Sequence, residues 1–119
     1  MFIVDPYADA KLLTDYAPLA PDTASVRVLT EATTYSKSLK PAAEHWAQQM
    51  KQPLEVRLSA PRTLHDRAIL IDGKTAFALG QSFKDLVARS HTTLVRMPPD
   101  AGKLKIEAYE AMWSSATPL

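Results

Sequence analysis

The sequence predicts an α/β fold, a mixed β-sheet flanked by helices, and three observations carry that expectation. Short apolar runs alternate with helix-patterned segments through the first half, which implies parallel strands joined by helical crossovers. Asp72-Gly73 sits between two apolar runs, the strongest short-range signal for an antiparallel hairpin. Amphipathic segments around Trp46 and near the C-terminus supply covering helices.

Phe2-Ile3-Val4 reads as a short buried strand ended by Asp5-Pro6. A helix of about ten residues follows, with Leu12, Leu13 and Tyr16 toward the core and Pro18 stopping it. Ser25–Thr30 alternates apolar and polar residues and reads as a strand. Between Tyr35 and Gln52, Leu39, Ala43, Trp46 and Met50 recur at i, i+4, i+7 and i+11, one helical stripe. Pro41 fits only the first turn, so the regular helix begins near Leu39 or Lys40, and Pro53 ends it. Leu54–Ser59, His65–Ile71, Thr75–Leu79 and Thr92–Met97 read as four further strands. Phe83–Arg89 reads as a loop with a helical turn. Lys103–Ser114 closes the chain as a helix, with Leu104, Ala108, Ala111 and Met112 inward.

At 119 residues and 46% hydrophobic content the chain fits one domain over residues 1–119. Opening directly in a strand hints at the C-terminal part of a longer protein. No cysteine is present, which excludes disulfides and thiolate metal sites and is compatible with the cytoplasm, the expected location. No apolar run is long enough for a transmembrane segment, and the N-terminus lacks the flank of a secretory signal. The net charge of +1 hides an asymmetry. Residues 1–56 carry five basic and seven acidic side chains, whereas residues 57–96 carry seven basic and three acidic. The basic excess favours an anionic ligand near the second segment, or is a solvated face.

That segment holds the chemistry. Positions two apart on a strand share a face, so His65 and Arg67 are expected to point together and Asp66 away. A guanidinium that forks onto two phosphate oxygens beside an imidazole that attacks or accepts a proton suits phosphate ester chemistry. The competing reading has His65 capping the strand and Arg67 pairing with a carboxylate. Asp72 precedes Gly73 as a type I′ turn prefers, which suffices to explain it. Gly80 and Ser82 at a strand end can offer a hydroxyl and backbone N–H groups to an anion. Lys84 and Arg89 extend the cationic surface or are solvated, and His91 can approach the same edge. His45 and the two tryptophans, Trp46 and Trp113, read as structural. Three scattered histidines make no metal constellation, the glycines make no phosphate loop, and no cofactor is expected.

Together, His65-x-Arg67-x4-Asp72 and the downstream Gly80-x-Ser82 resemble the phospholipase D superfamily, whose motif is His-x-Lys-x4-Asp followed by a Gly-Ser element and an Asn. The Asp5-Pro6-Tyr7 opening, the His65-Asp66-Arg67 strand and Ser82-Phe83-Lys84-Asp85 are similar to the bacterial and MIT-associated branch of that superfamily. The resemblance spans Phe2 to about Met97 and implies a phospholipase D-like single-motif domain. It implies His65 as a nucleophile forming a phosphohistidine, Arg67 as the phosphate clamp and Asp72 as an orienting carboxylate. Ser82, Lys84 and Asp85 would complete the phosphate-binding set, with Asp85 near the place of the Asn and Arg67 in place of the Lys. The reaction uses two motifs, so a homodimer or an upstream partner domain is implied as partner. The implied function is a metal-independent phosphodiesterase, a nuclease or phospholipase. Its alternative is a catalytically degenerate module that binds phosphate, anionic lipid, nucleic acid or a protein partner, as in the MIT-associated branch. A purely structural polar cluster is the third reading.

Overall fold

In the computed structural model, residues 1–80 and 93–119 are described, and they form a seven-stranded mixed sheet covered by helices on both faces. The strands are β1 (Phe2–Val4), β2 (Val26–Glu31), β3 (Leu54–Ser59), β4 (Arg67–Ile71), β5 (Thr75–Leu79), β6 (Leu94–Arg96) and β7 (Thr117–Pro118). The helices are α1 (Leu39–Gln49) and α2 (Pro99–Ser115). The sheet order is β6-β5-β4-β1-β2-β3-β7. β1 pairs parallel with β2, and β2 with β3; β4, β5, β6 and β7 join by antiparallel pairs.

β1 sits in the middle and is wholly apolar because both of its faces are covered. Ile3 joins Val26, Val28 and Val56 beneath Leu12, Leu13, Leu39 and Trp46. Phe2 and Val4 join Leu29, Ala68, Leu70 and Ala76 beneath Ile106, Tyr109 and Trp113 of α2. Leu64, from the loop before β4, plugs this second core. Burying each large apolar side chain contributes about 1.5–3 kcal/mol, so these two layers dominate the stability.

The hairpin forms as the Asp-Gly pair requires. Asp72 and Gly73 have φ of 54° and 64°, both left-handed as in a type I′ turn. The Lys74 N–H donates to the Ile71 carbonyl at 3.0 Å. α1 ends where the Trp46 indole N–H donates to the Gln52 carbonyl at 2.7 Å, and the Gln52 amide in turn donates to Ala20 O at 3.1 Å.

Four sequence expectations need correction. The first helix has the expected length but is not a regular α-helix: a π-turn over Leu12–Tyr16 runs into a 3-10 turn over Ala17–Leu19, and Pro18 lies at the start of that turn, where its missing N–H is harmless, instead of ending the run. β4 starts at Arg67 rather than His65: its partners β1 and β5 stop at Val4, opposite Ala68, and at Leu79, opposite Arg67, and leave no ladder for His65. α2 begins four residues early because Pro99 sits in its first turn, where the missing N–H is harmless. Its buried stripe is Gly102, Ile106, Tyr109 and Trp113; Leu104, Ala108 and Ala111 face water and Met112 is half-buried. The aromatic rings outweighed the smaller residues in choosing the inward face. β7, unforeseen in the sequence, lies along β3. The expected loop Phe83–Arg89 and the start of the Thr92–Met97 strand fall outside the described residues. No helix among the described residues is long and apolar enough to cross a membrane.

Candidate functional site

The parallel strands β1, β2 and β3 end, β4 begins and β5 ends at one edge of the sheet. In α/β sheets this carboxyl edge is where ligands characteristically bind. Polar residues gather there although the surrounding sheet is apolar. Asp5, Thr30, Glu31 and Ser59 are all buried.

Two carboxylates shape the edge. Asp5 follows β1, and its Oδ1 accepts the Tyr7 N–H at 2.9 Å, turning the chain after Pro6. Glu31 ends β2 and accepts the Thr33 and Thr34 hydroxyls and, at 3.2 Å, the Arg62 N–H. The Thr33 hydroxyl is the main reason its carboxyl is held below the ordinary glutamate value, against the opposing effect of burial. Arg62 takes a left-handed φ of 63° to present that N–H. Such a conformation is unfavourable for a residue with a Cβ and persists because Glu31 and the loop around it hold it. Glu31 thus pins the loop from β3 to β4, Leu64 plugs the core, and His65 emerges exposed beside it.

Past His65 the chain is tied to α2. Lys105 donates to Asp66 Oδ2 at 2.6 Å and the Tyr109 hydroxyl reaches the same oxygen at 3.2 Å. The Lys105 bond is the chief cause that lowers the Asp66 carboxyl below its ordinary value; Tyr109 and the nearby His65 add to it, and burial opposes. The Tyr109 phenol is raised well above its ordinary value, first by burial and then by the Asp66 charge.

His65, Asp66, Arg67, Lys105 and Tyr109 line one cavity of about 200 Å³, closed by Ala68, Ala78, Leu79 and Met97. At about 30 Å³ per water, that space holds a phosphate group and some solvent. The Arg67 guanidinium lies 5.3 Å from the Tyr7 ring centroid, and its Nε is buried without a hydrogen-bond partner among the described residues. Thr30 Oγ1 and Ser59 Oγ, at the same edge, are likewise buried without partners. Unpaired buried polar groups of this kind are uncommon in folded proteins.

The structure therefore brings His65 and Arg67 together at one cavity, although strand alternation is not what does it. Asp66 lines that same cavity rather than pointing away. Asp72, implied as an orienting carboxylate, stands at the other end of β4, about 16 Å from Arg67 at ~3.3 Å per strand residue. There it forms the hairpin turn and lines a different cavity with Met1, Arg27 and Glu110. Ser82, Lys84 and Asp85, together with Arg89 and His91, lie outside the described residues. The chain does leave and rejoin at this edge, since the Gly80 N–H donates to Thr93 O at 3.2 Å. His45 is exposed on α1, and Trp46 and Trp113 are core residues.

Sequence reasoning passed over Glu31, Lys105 and Tyr109. Only the Glu31-x-Thr33-Thr34 pattern, an acceptor followed by two hydroxyl donors, gave a local signal for any of them. A larger cavity of about 620 Å³ runs between α1 and β3, lined by Trp46, Met50 and Leu54 with two lysines and two glutamates. Its balanced charge does not suit an anion. Among the described residues no group of three His, Asp or Glu could hold a metal ion. Comparison of the chain with protein-family models, curated proteins and solved structures found no match.

Proposed function

We propose that the chain is a phospholipase D-like domain that binds a phosphate-bearing ligand at the His65–Arg67 edge. The observation that carries this reading is that His65, which is exposed, and Arg67, which is half-buried, are both among the residues lining one small cavity at the carboxyl end of the parallel strands. Arg67 has the planar fork that recognises phosphate oxygens in pairs, and its position over Tyr7 holds that fork in place. His65 contributes a hydrogen bond and, when protonated, a charge.

The test is titration of the protein with inorganic phosphate at low salt, followed by calorimetry. Arg67→Ala should weaken binding at least tenfold, in line with ~1.5–3 kcal/mol for a charge-assisted hydrogen bond. Wild-type protein that takes up no phosphate, or an Arg67→Ala variant that binds as well, overturns the reading. Vesicles containing phosphatidylserine and single-stranded DNA then separate a lipid from a nucleic-acid source of the phosphate.

The exposure of His65 favours a second reading, phosphodiester hydrolysis. An imidazole nitrogen would attack phosphorus and form a P–N bond as the P–O bond to the leaving alcohol breaks. A second His65, from another copy of the chain, would give that oxygen its proton and then take one from the water that attacks phosphorus as the P–N bond breaks. Metal-independent cleavage of bis(p-nitrophenyl) phosphate, lost in His65→Ala, supports this reading; phosphate binding without cleavage removes it.

A further inference from the structure

We propose that Lys105 of α2 is a phosphate ligand of this site, with Asp66 and Tyr109 holding its ammonium in place. The inference rests on the phosphate-binding reading and extends it to an element outside the His-x-Arg motif.

Lys105 lines the same cavity as His65 and Arg67. An ammonium has three N–H donors and no acceptor, and the bond to Asp66 uses one of them. A phosphate oxygen in the cavity can take another without breaking that pair. Surface lysines usually lose considerable side-chain entropy on gripping an anion. Lys105 is already ordered: its Nζ is 2.6 Å from Asp66 Oδ2 and 5.9 Å from the ring centroid of Tyr109, one helical turn onward. Tyr109 is itself anchored, with its ring in the core and its hydroxyl on Asp66. The residues lining the cavity include His65, Arg67 and Lys105 against one carboxylate, Asp66. An anion is the ligand that such a balance favours.

The competing explanation is that Lys105–Asp66 only pins α2 to the strand entrance. The two roles give opposite signs for one pair of variants. Titration with inorganic phosphate should show Lys105→Met weakening binding about tenfold, the loss of one charge-assisted hydrogen bond. Asp66→Asn, which removes the competing negative charge while keeping an acceptor oxygen for Lys105, should tighten binding. Lys105→Arg, which retains the cation, should keep most of the affinity. If Lys105→Met binds like wild type, or if Lys105→Met and Asp66→Asn weaken binding alike, the inference is wrong while phosphate binding through Arg67 stands. If the wild-type protein binds no phosphate, both fall. Far-UV circular dichroism of each variant keeps the comparison to folded protein.

Discussion

The two ends of the sheet use the same kinds of residue to opposite effect. At the amino end of the parallel strands, Arg27 is consumed by the fold. It forks onto both carboxylate oxygens of Glu110 and lies 4.3 Å from the Phe2 ring centroid and 5.2 Å from that of Trp113. Each partner of this pair keeps the other charged: Glu110 is held below its ordinary value and Arg27 above, chiefly through their shared hydrogen bonds. At the carboxyl end, Arg67 has a buried Nε with no partner among the described residues, and His65 is exposed. An arginine forked onto a carboxylate within the chain holds a helix to a sheet. One whose donors are left over, beside a cavity, can hold a ligand.

The contrast is broken most severely at the amino end by Trp113→Ala. Trp113 packs edge-to-face on Phe2, with centroids 5.3 Å apart, and its ring also carries Arg57 at 4.5 Å. Truncation should destabilise the protein by about 3–5 kcal/mol. Urea unfolding measures it, while phosphate affinity of the folded fraction stays as in wild type. A shared loss of affinity would mean that the two ends are not independent.

A smaller effect is expected from Glu31→Gln, about 1–3 kcal/mol, because the Arg62 loop loses a charged acceptor. Here binding at the proposed phosphate site should suffer too, since this loop presents His65. The Glu31 carboxyl is lowered in the fold, so its stabilisation is complete above the ordinary glutamate value of 4.5 and fades as pH falls through the lower folded value. Urea midpoints measured down the acid limb should therefore fall more gently in the variant than in wild type. An equally steep fall would show that Glu31 is not a source of acid sensitivity.

Glu110→Gln should cost about 1 kcal/mol, since both partners of its ion pair are partly exposed and solvent screens them. Chemical denaturation at low and high salt checks this: the gap between variant and wild type should narrow as salt rises. The smallest effect belongs to Asp72→Asn, within about 0.5 kcal/mol, because Asn accepts the left-handed turn conformation as readily as Asp. Phosphate affinity should not change. A marked loss would restore Asp72 to the site despite its place at the far end of β4.

Much of the fold was legible because local chemistry sets it. β1 and β3 fall on the expected residues, the Asp72-Gly73 turn has the backbone that its sequence demands, and α1 starts at Leu39 with Leu39 and Trp46 inward. The site was legible only in part. His65 and Arg67 are both among the residues lining one cavity, but β4 begins after His65, and the carboxylate that lines it with them is Asp66 rather than Asp72. Motif spacing counts residues along a strand, whereas a site is assembled from strand ends, and residues five apart on one strand reach opposite edges of the sheet.

The sequence by itself determined most of the strands, the Asp72-Gly73 turn, the start of α1 and which segment carries the cations, because apolar period, proline and Asp-Gly act over a few residues. Only the tertiary structure decided which face α2 buries, and with it that Lys105 and Tyr109 meet Asp66 across 39 and 43 residues of chain. That choice followed from the packing of Ile106, Tyr109 and Trp113 against the sheet, a sum over many distant contacts that no local pattern encodes.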